Sequence, residues 1–144
     1  MKALNAYFTF NGNCKSAMEF YQKCLGGKLS FQTVGESPLS AKMPVSMKKK
    51  ILHSELTKEN FTLMGTDMTS DTGLLKGNAI SLVLHCHSEQ EIKKCYQALS
   101  AGGKKTQPLE ATNWGALFGT LTDKYGNPWL LNYKKNLNGK KSAK

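Results

Sequence analysis

The chain has 144 residues, 40% of them hydrophobic and 21% charged, which is the length and composition of one globular domain. No apolar run approaches the roughly 18 residues that a membrane-spanning helix needs. Asn5, Thr9 and Asn11 interrupt the segment where a signal peptide would carry its apolar core. We therefore expect a cytoplasmic protein with no membrane partner.

The formal net charge is +10, and all 20 basic residues are lysines. Arginine, whose forked guanidinium recognises phosphate and guanine, does not occur in the sequence. Lysines are frequent after residue 133, and we predict a flexible tail over 135–144. Binding to nucleic acid or to an acidic surface is one interpretation of the charge. We favour a solvated lysine-rich surface, because charge alone gives only salt-sensitive, non-specific binding.

The cysteines are too far apart in sequence to form a C-x-x-C pair, which argues against a zinc ribbon and against a thioredoxin-like site. Without an export signal, we expect reduced, buried thiols. The cysteines are Cys14, Cys24, Cys86 and Cys95.

The first half of the chain predicts a strand, a helix and three strands. Alternation predicts a strand over 3–10, and Asn13 is a suitable N-cap for a helix over 14–24 that ends at Gly26-Gly27. A strand over 28–34 precedes a long loop, 35–50. Strands over 51–58 and 61–66 then form a hairpin around Glu59-Asn60. The polar segment 68–77 joins this half to the next.

The second half predicts the same order. A strand over 79–86 precedes a helix that begins after Ser88, with Glu91 at the capping-box position, and that ends at Gly102-Gly103. Strands over 104–109, 114–122 and 128–133 follow, the last two joined by a turn over 123–127. The order of elements therefore repeats.

Residue matches accompany this repeat. Gly26-Gly27-Lys28 corresponds to Gly102-Gly103-Lys104, and Glu55-Leu56-Thr57 corresponds to Thr120-Leu121-Thr122. Leu63 matches Leu130 in the same comparison. We predict an α+β fold over residues 1–134, in which two βαβββ modules, about 1–67 and 79–133, form a curled mixed sheet around a cleft.

Three sequence blocks carry a family resemblance. They are 7–13 with 17–21, then 53–56 with 63–67, and finally 114–119 with 121–129. The chain resembles the vicinal oxygen chelate superfamily, which includes glyoxalase I, bleomycin and fosfomycin resistance proteins and extradiol dioxygenases. The likeness is strongest to its PhnB-like branch and covers residues 3–133. It implies the fold above and a homodimer, but no single function, because one fold carries many activities.

The resemblance also implies where metal ligands would stand. Carried over to this chain, the ligand positions fall near Ala6, Leu63, Ser81 (or Leu82) and Leu130. None of these residues offers the imidazole or carboxylate that a divalent cation requires. We therefore expect no metal at the usual site and no cofactor. The branch also carries a name that implies a ubiquinone-precursor methyltransferase. The sequence has no Gly-rich strand–turn–helix site that would support it.

His53 and Glu55 are the candidate catalytic pair. On a strand, residues two apart face the same side, so Glu55 could orient His53 as a general base. A solvated pair at the rim of the sheet is the alternative. The segment His85-Cys86-His87 fits a solvated strand end better than a metal site. Asp67, Asp71 and Asp123 are expected in turns for backbone reasons.

Aromatic residues are the candidate ligand-binding set, because such side chains line small-molecule pockets. They also fill cores and dimer interfaces. The candidates are Phe8, Phe10, Trp114, Phe118 and Trp129.

Three functions remain open at this point. The first is a metal-free cleft that binds an unknown small molecule and performs metal-independent chemistry on it. The second is a non-catalytic sequestering or sensing protein of the bleomycin-resistance type. The third is a lysine-driven binder of nucleic acid or acidic surfaces, which we consider the weakest of the three.

Overall fold

The computed structural model describes residues 1–135, so the predicted tail lies outside the described residues except for Lys135. The chain divides into two compact units, the first over Met1–Leu75 and the second from Lys76 onward. Each unit contains one four-stranded mixed sheet and one helix that packs against it. These are the two βαβββ modules predicted from the sequence.

In the first unit, α1 (Cys14–Leu25) packs against a sheet of order β1-β4-β3-β2. Strand β1 pairs with β4 in parallel, and the other pairs are antiparallel. The strands are β1 (Ala6–Thr9), β2 (Lys28–Thr33), β3 (Ile51–Lys58) and β4 (Phe61–Thr66).

In the second unit, α2 (Glu89–Ser100) packs against a sheet of order β5-β8-β7-β6. The parallel pair is β5 with β8, and the antiparallel pairs are β8 with β7 and β7 with β6. The strands are β5 (Leu82–His85), β6 (Lys104–Ala111), β7 (Ala116–Thr122) and β8 (Pro128–Lys134).

The predicted and observed elements differ mainly at their ends. The predicted strands over 3–10 and 79–86 shorten to four residues each, and the predicted loop over 35–50 contains two short 3₁₀-helices, Pro38–Lys42 and Val45–Met47. Throughout the described part of the chain, neither helix is long and apolar enough to cross a membrane.

Each sheet buries the face that meets its helix, and we call the opposite face the open face. Phe8 on β1 contacts Tyr21 of α1, and a Cβ placed on Gly65 of β4 would come within 3.2 Å of the side chains of Met18 and Phe10. In the second unit, Gly119 on β7 lies against Tyr96 of α2. Because side chains alternate along a strand, these contacts assign every neighbouring position to one face or the other.

The N-terminus of α1 is capped by Asp67 rather than by Asn13. Asn13 makes no side-chain capping bond. Instead, Oδ1 of the buried Asp67 accepts hydrogen bonds from the backbone N–H groups of Cys14 (2.9 Å) and Gly12 (3.0 Å). Its Oδ2 accepts from Ile51 N–H at 2.9 Å. One carboxylate after β4 thus fixes both the start of α1 and the start of β3, which local sequence could not predict.

The repeat holds for the first strand of each hairpin but shifts by one residue in the second. Thr57 pairs with Lys28 and Thr122 pairs with Lys104, as the residue matches predict. The match of Leu63 with Leu130 is wrong. Leu56 pairs with Leu63, whereas its counterpart Leu121 pairs with Trp129. The two hairpin turns differ in length, so Leu130 corresponds to Met64.

Replacing Asp67 with Ala should lower the free energy of unfolding by about 3 kcal/mol or more, because it leaves three backbone N–H groups without their charged acceptor. The exposed Asp71 provides the matched control, and Asp71→Ala should stay within about 0.5 kcal/mol of the parent. Urea unfolding followed by circular dichroism measures both. Equal losses in the two variants would contradict the capping role.

Candidate functional site

His53 and Glu55 form a hydrogen-bonded pair on the open face of the first sheet. Both lie on β3, and His53 Nε2 is 3.0 Å from Glu55 Oε2. Their side chains are 37% and 41% exposed, respectively. The face that carries them is opposite α1, because Ser54 between them reaches Cys14 at the helix. The pair is therefore available to a ligand while being held in one geometry.

Tyr7 adds an aromatic wall to this pair. Its ring stacks on the imidazole of His53, with 6.0 Å between ring centroids and 30° between planes. Sequence reasoning did not select Tyr7, although alternation offers a signal. Phe8 and Phe10 share the helix-facing side, so Tyr7 must face the other way. Only the parallel pairing of β1 with β4, next to β3, brings it to His53.

The rest of this open face is polar or polarisable. Met64 lies between Tyr7 and Glu55 in the cross-strand register, and Ser30 lies beyond Glu55. Gln32 pairs with His53 on the outer strand. We call the set Tyr7, His53, Glu55 and Met64 the open-face cluster. It offers one titratable base, one carboxylate and two surfaces for apolar contact.

The second unit has no equivalent of the His–Glu pair among its described residues. The registers place Phe118 at the position of His53 and Thr120 at that of Glu55. A cavity of about 340 Å³ opens beside Phe118, next to Glu110. Nearby on the same face, Asn132 lies 3.4 Å from His85. The two modules thus share a fold while presenting different open faces.

The predicted aromatic residues divide between core and surface. Phe10 and Trp129 are only 2% and 3% exposed, so neither has free surface to offer a ligand. Phe8 packs on Phe10 and Tyr21 on the helix-facing side. Trp114 is 66% exposed, and Phe118 is half-buried on the open face. The structure therefore brings none of these rings to His53.

Trp129 is held by a buried carboxylate. Its indole N–H donates to Asp123 Oδ2 at 2.9 Å, and Asp123 Oδ1 accepts from the backbone of Tyr125 and Asn127. Asp123 was expected in a turn, and it does shape the β7–β8 turn. It also fixes the core tryptophan six residues further along the chain, a contact across the turn that backbone turn chemistry alone does not predict.

The residues at the implied metal positions do not fit a metal ion. Ala6 pairs with Leu63, and both lie on the helix-facing side of the first sheet. The open-face neighbours are Tyr7 and Met64, and Val83 with Leu130 in the second unit. Within residues 1–135, no three or more His, Cys, Asp or Glu side chains cluster closely enough to hold a metal.

None of the four cysteines, all in the described range, forms a disulfide. Cys14 is fully buried, and burial raises the pKa of its thiol to about 11, against a smaller lowering by the Ser54 hydrogen bond. The hydrogen bond that the Cys86 thiol donates to Cys95, together with burial, raises the pKa of Cys86. Both thiols therefore stay protonated near neutral pH, which makes them poor nucleophiles.

Comparison with known proteins identifies a family model and a relative that cover almost the whole chain. The sequence model of the family described as "3-demethylubiquinone-9 3-methyltransferase" matches residues 2–132. Protein YjdN of Escherichia coli (strain K12) is 32% identical over 142 residues, which are 92% of this chain and 95% of that protein.

Solved structures are also similar to this chain over most of its length. Protein PA1353 from Pseudomonas aeruginosa is 33% identical with a TM-score of 0.78, covering 93% of this chain and 100% of that one. A putative 3-demethylubiquinone-9 3-methyltransferase, PhnB protein, from Bacillus cereus is 23% identical, with a TM-score of 0.72 over 92% and 99%. A glyoxalase-related enzyme from Fulvimarina pelagi is 17% identical, with a TM-score of 0.58 over 93% and 89%. The last two show a shared fold.

The two tryptophans give a test of which ring is available. Trp129→Phe should lower the free energy of unfolding by about 1.5–3 kcal/mol, because it removes a buried hydrogen bond to a carboxylate. Trp114→Phe should change it by less than about 0.5 kcal/mol and should remove the emission that acrylamide quenches. Urea unfolding and fluorescence quenching measure these effects. Quenching that persists in Trp114→Phe would contradict the assignment.

Proposed function

We propose that this chain binds a small organic molecule at the open-face cluster, removes a proton from one of its carbon atoms and returns it. The chain belongs to the family described as 3-demethylubiquinone-9 3-methyltransferase, in the PhnB-like branch of the vicinal oxygen chelate superfamily. The observation that carries the proposal is the contact of His53 with Glu55 at 3.0 Å beside the ring of Tyr7. The reaction class is proton abstraction next to a carbonyl group, without a metal ion.

The roles follow from the hydrogen bonding. A neutral imidazole carries one proton, and Glu55 can only accept, so Nε2–H donates to Glu55 and the lone pair lies on Nδ1. In the described part of the chain, Nδ1 of His53 makes no hydrogen bond. It is therefore the atom that accepts a proton from the ligand. Glu55 stabilises the resulting imidazolium, and the proton returns to the product from the same nitrogen.

Tyr7 and Met64 provide the surface on which the ligand rests. Tyr7 is about half exposed, and its ring already orders the imidazole. A ligand that covers the cluster excludes water from the His–Glu pair and strengthens their attraction, because the effective dielectric falls. Binding and activation of the base are thus linked.

The family description names a methyltransferase, and the helix N-termini of this chain do not fit a nucleotide-type methyl donor. Asp67 occupies the amides that begin α1. At α2, Ser88 Oγ accepts from Glu91 N–H, and Glu91 accepts from His87 N–H. Neither turn has the Gly-rich sequence that lets a backbone approach a nucleotide. We therefore derive no methyl-transfer step.

Exchange of carbon-bound hydrogen for deuterium tests the proposal without knowledge of the product. Phenylacetone, benzylacetone, phenylpyruvate and acetophenone, carbonyl compounds whose ring can rest on Tyr7 and Met64, are incubated in D₂O with the protein and followed by ¹H NMR. At least one should exchange faster than in buffer, and His53→Gln should lower the catalysed rate by about 10²–10⁴-fold, the usual contribution of a general base. His85→Gln, an exposed histidine of the second sheet, should leave the rate unchanged.

Glu55→Gln refines the assignment, because its amide oxygen still accepts from Nε2–H but carries no charge. It should lower the exchange rate less than His53→Gln does. No catalysed exchange of any carbonyl compound by the parent protein, or equal exchange by His53→Gln, would overturn the catalytic role.

A second candidate is binding without chemistry, of the sequestering or sensing type. The cavity beside Phe118 favours it, because an aromatic side chain lines an opening large enough for a small ligand. Thermal-shift screening separates the two candidates. Binding alone would be supported by a compound that shows no hydrogen exchange and meets two further conditions. It stabilises Phe118→Ser to a different extent from the parent, and it stabilises His53→Gln to the same extent as the parent.

We also propose a homodimer. The support is the family resemblance together with large apolar side chains, Val45, Leu75 and Ile80, that are mostly exposed in the single chain. Light scattering after size exclusion at micromolar concentration should give about twice the 15.9 kDa chain mass. A monomer mass across that concentration range would contradict it.

A further inference from the structure

A second cavity lies on the helix-facing side of the second sheet, at the end where α2 begins. Its volume is about 250 Å³. The floor is a cross-strand row in which Leu117 pairs with both Ala111 and Tyr133. The open-face cluster belongs to the first unit, so this cavity is separate from the site proposed above.

The cavity exists because helix α2 does not cover this row and because the adjoining wall consists of small residues. The next row inward, which contains Gly119 and Leu131, is covered by α2 through Tyr96. Helix α2 starts at Glu89, which lies at the mouth of the cavity. Because the helix begins there, it does not cover the terminal row. The adjoining wall consists of Gly115 and Ala116.

Gly115 also keeps the cavity from being filled by its own chain. Its φ is +82°, a left-handed conformation that residues with a Cβ rarely adopt. The surrounding side chains are Ala, Leu and the ring of Tyr133, so the interior is apolar. A space of 250 Å³ corresponds to about eight water molecules, which suits a ligand of about nine non-hydrogen atoms.

The charges at the mouth favour an anion. Glu89 pairs with Lys93 at 2.7 Å, and the pKa of the Glu89 carboxyl is lowered first by that bond and further by Lys135. Among the described residues, the charged side chains that line the cavity are Glu89 and Lys135, and Lys93 already neutralises Glu89, so the positive charge of Lys135 is left for a ligand. Lys135 lines the cavity, whereas Lys93 is already engaged.

We infer that this cavity binds a small organic carboxylate, with an aromatic or branched apolar body against Leu117 and Tyr133 and its carboxylate beside Lys135. The size and the apolar floor select the body. The excess positive charge selects the anionic head over a neutral or cationic one.

The test uses benzoate as the probe and benzyl alcohol as its neutral counterpart of similar size. Each is titrated into ¹⁵N-labelled full-length protein, and amide shifts are followed. Benzoate should shift the amides of Gly115, Ala116 and Leu117, with a dissociation constant in the low millimolar range. The amides of His53 and Glu55 should stay in place.

Lys135→Gln should weaken benzoate about two- to fivefold, the range of an exposed ion pair, and leave benzyl alcohol unchanged. Lys134→Gln is the matched control, because the neighbouring lysine points to the opposite face of β8. It should change benzoate affinity by less than twofold.

Any of four results would overturn the inference. The first is the absence of amide shifts at residues 115–117 when the probe concentration reaches about 10 mM, above the expected dissociation constant. The second is equal affinity for benzoate and benzyl alcohol, and the third is equal weakening of benzoate binding by Lys134→Gln and Lys135→Gln. Shifts confined to the first unit would also overturn it, while leaving the open-face proposal intact.

Discussion

The buried carboxylate of Asp67 is the contact on which the geometry of the first unit depends. Its oxygens accept hydrogen bonds from three backbone N–H groups: Gly12 in the turn before α1, Cys14 at the first position of α1, and Ile51 at the first position of β3. A buried carboxylate is tolerated only when such donors surround it. These bonds set the start of β3, two residues before His53, against the turn that follows β1. The position of the candidate base therefore depends on a residue that a ligand at the open face need not touch.

The two modules use similar scaffolds for different surfaces. A small residue on each sheet, Gly65 or Gly119, lets the helix approach closely, and a buried aspartate stabilises a corner of each unit, although at different places in the repeat. The helix-facing sides are both apolar because they must be covered. The open faces are not constrained in this way, so His53 and Glu55 in one module can correspond to Phe118 and Thr120 in the other.

Local sequence patterns predicted the elements well, since β3, β4 and both helices follow from alternation, helical spacing and terminal glycines. The pairing of His53 with Glu55 followed from strand geometry alone. What depends on partners distant in sequence could not be predicted in the same way. The cap of α1 comes from Asp67, 53 residues from Cys14. The one-residue shift at Leu130 arises from unequal turns, which a short residue match cannot detect. Tyr7 reaches His53 only through the β1–β4 pairing.

The exposure of the His53–Glu55 pair constrains how it can act. An ion pair that is more than a third exposed contributes little by itself, because water screens it. Glu55 in the unliganded chain therefore serves mainly to orient the ring and to select the tautomer with the Nδ1 lone pair. The attraction that stabilises an imidazolium grows only when a ligand covers the cluster and lowers the local dielectric. A small ligand that left the pair wet would gain little catalysis. Under the proposed function, the ligand therefore needs enough apolar surface to rest on Tyr7 and Met64 while it presents its acidic C–H to Nδ1.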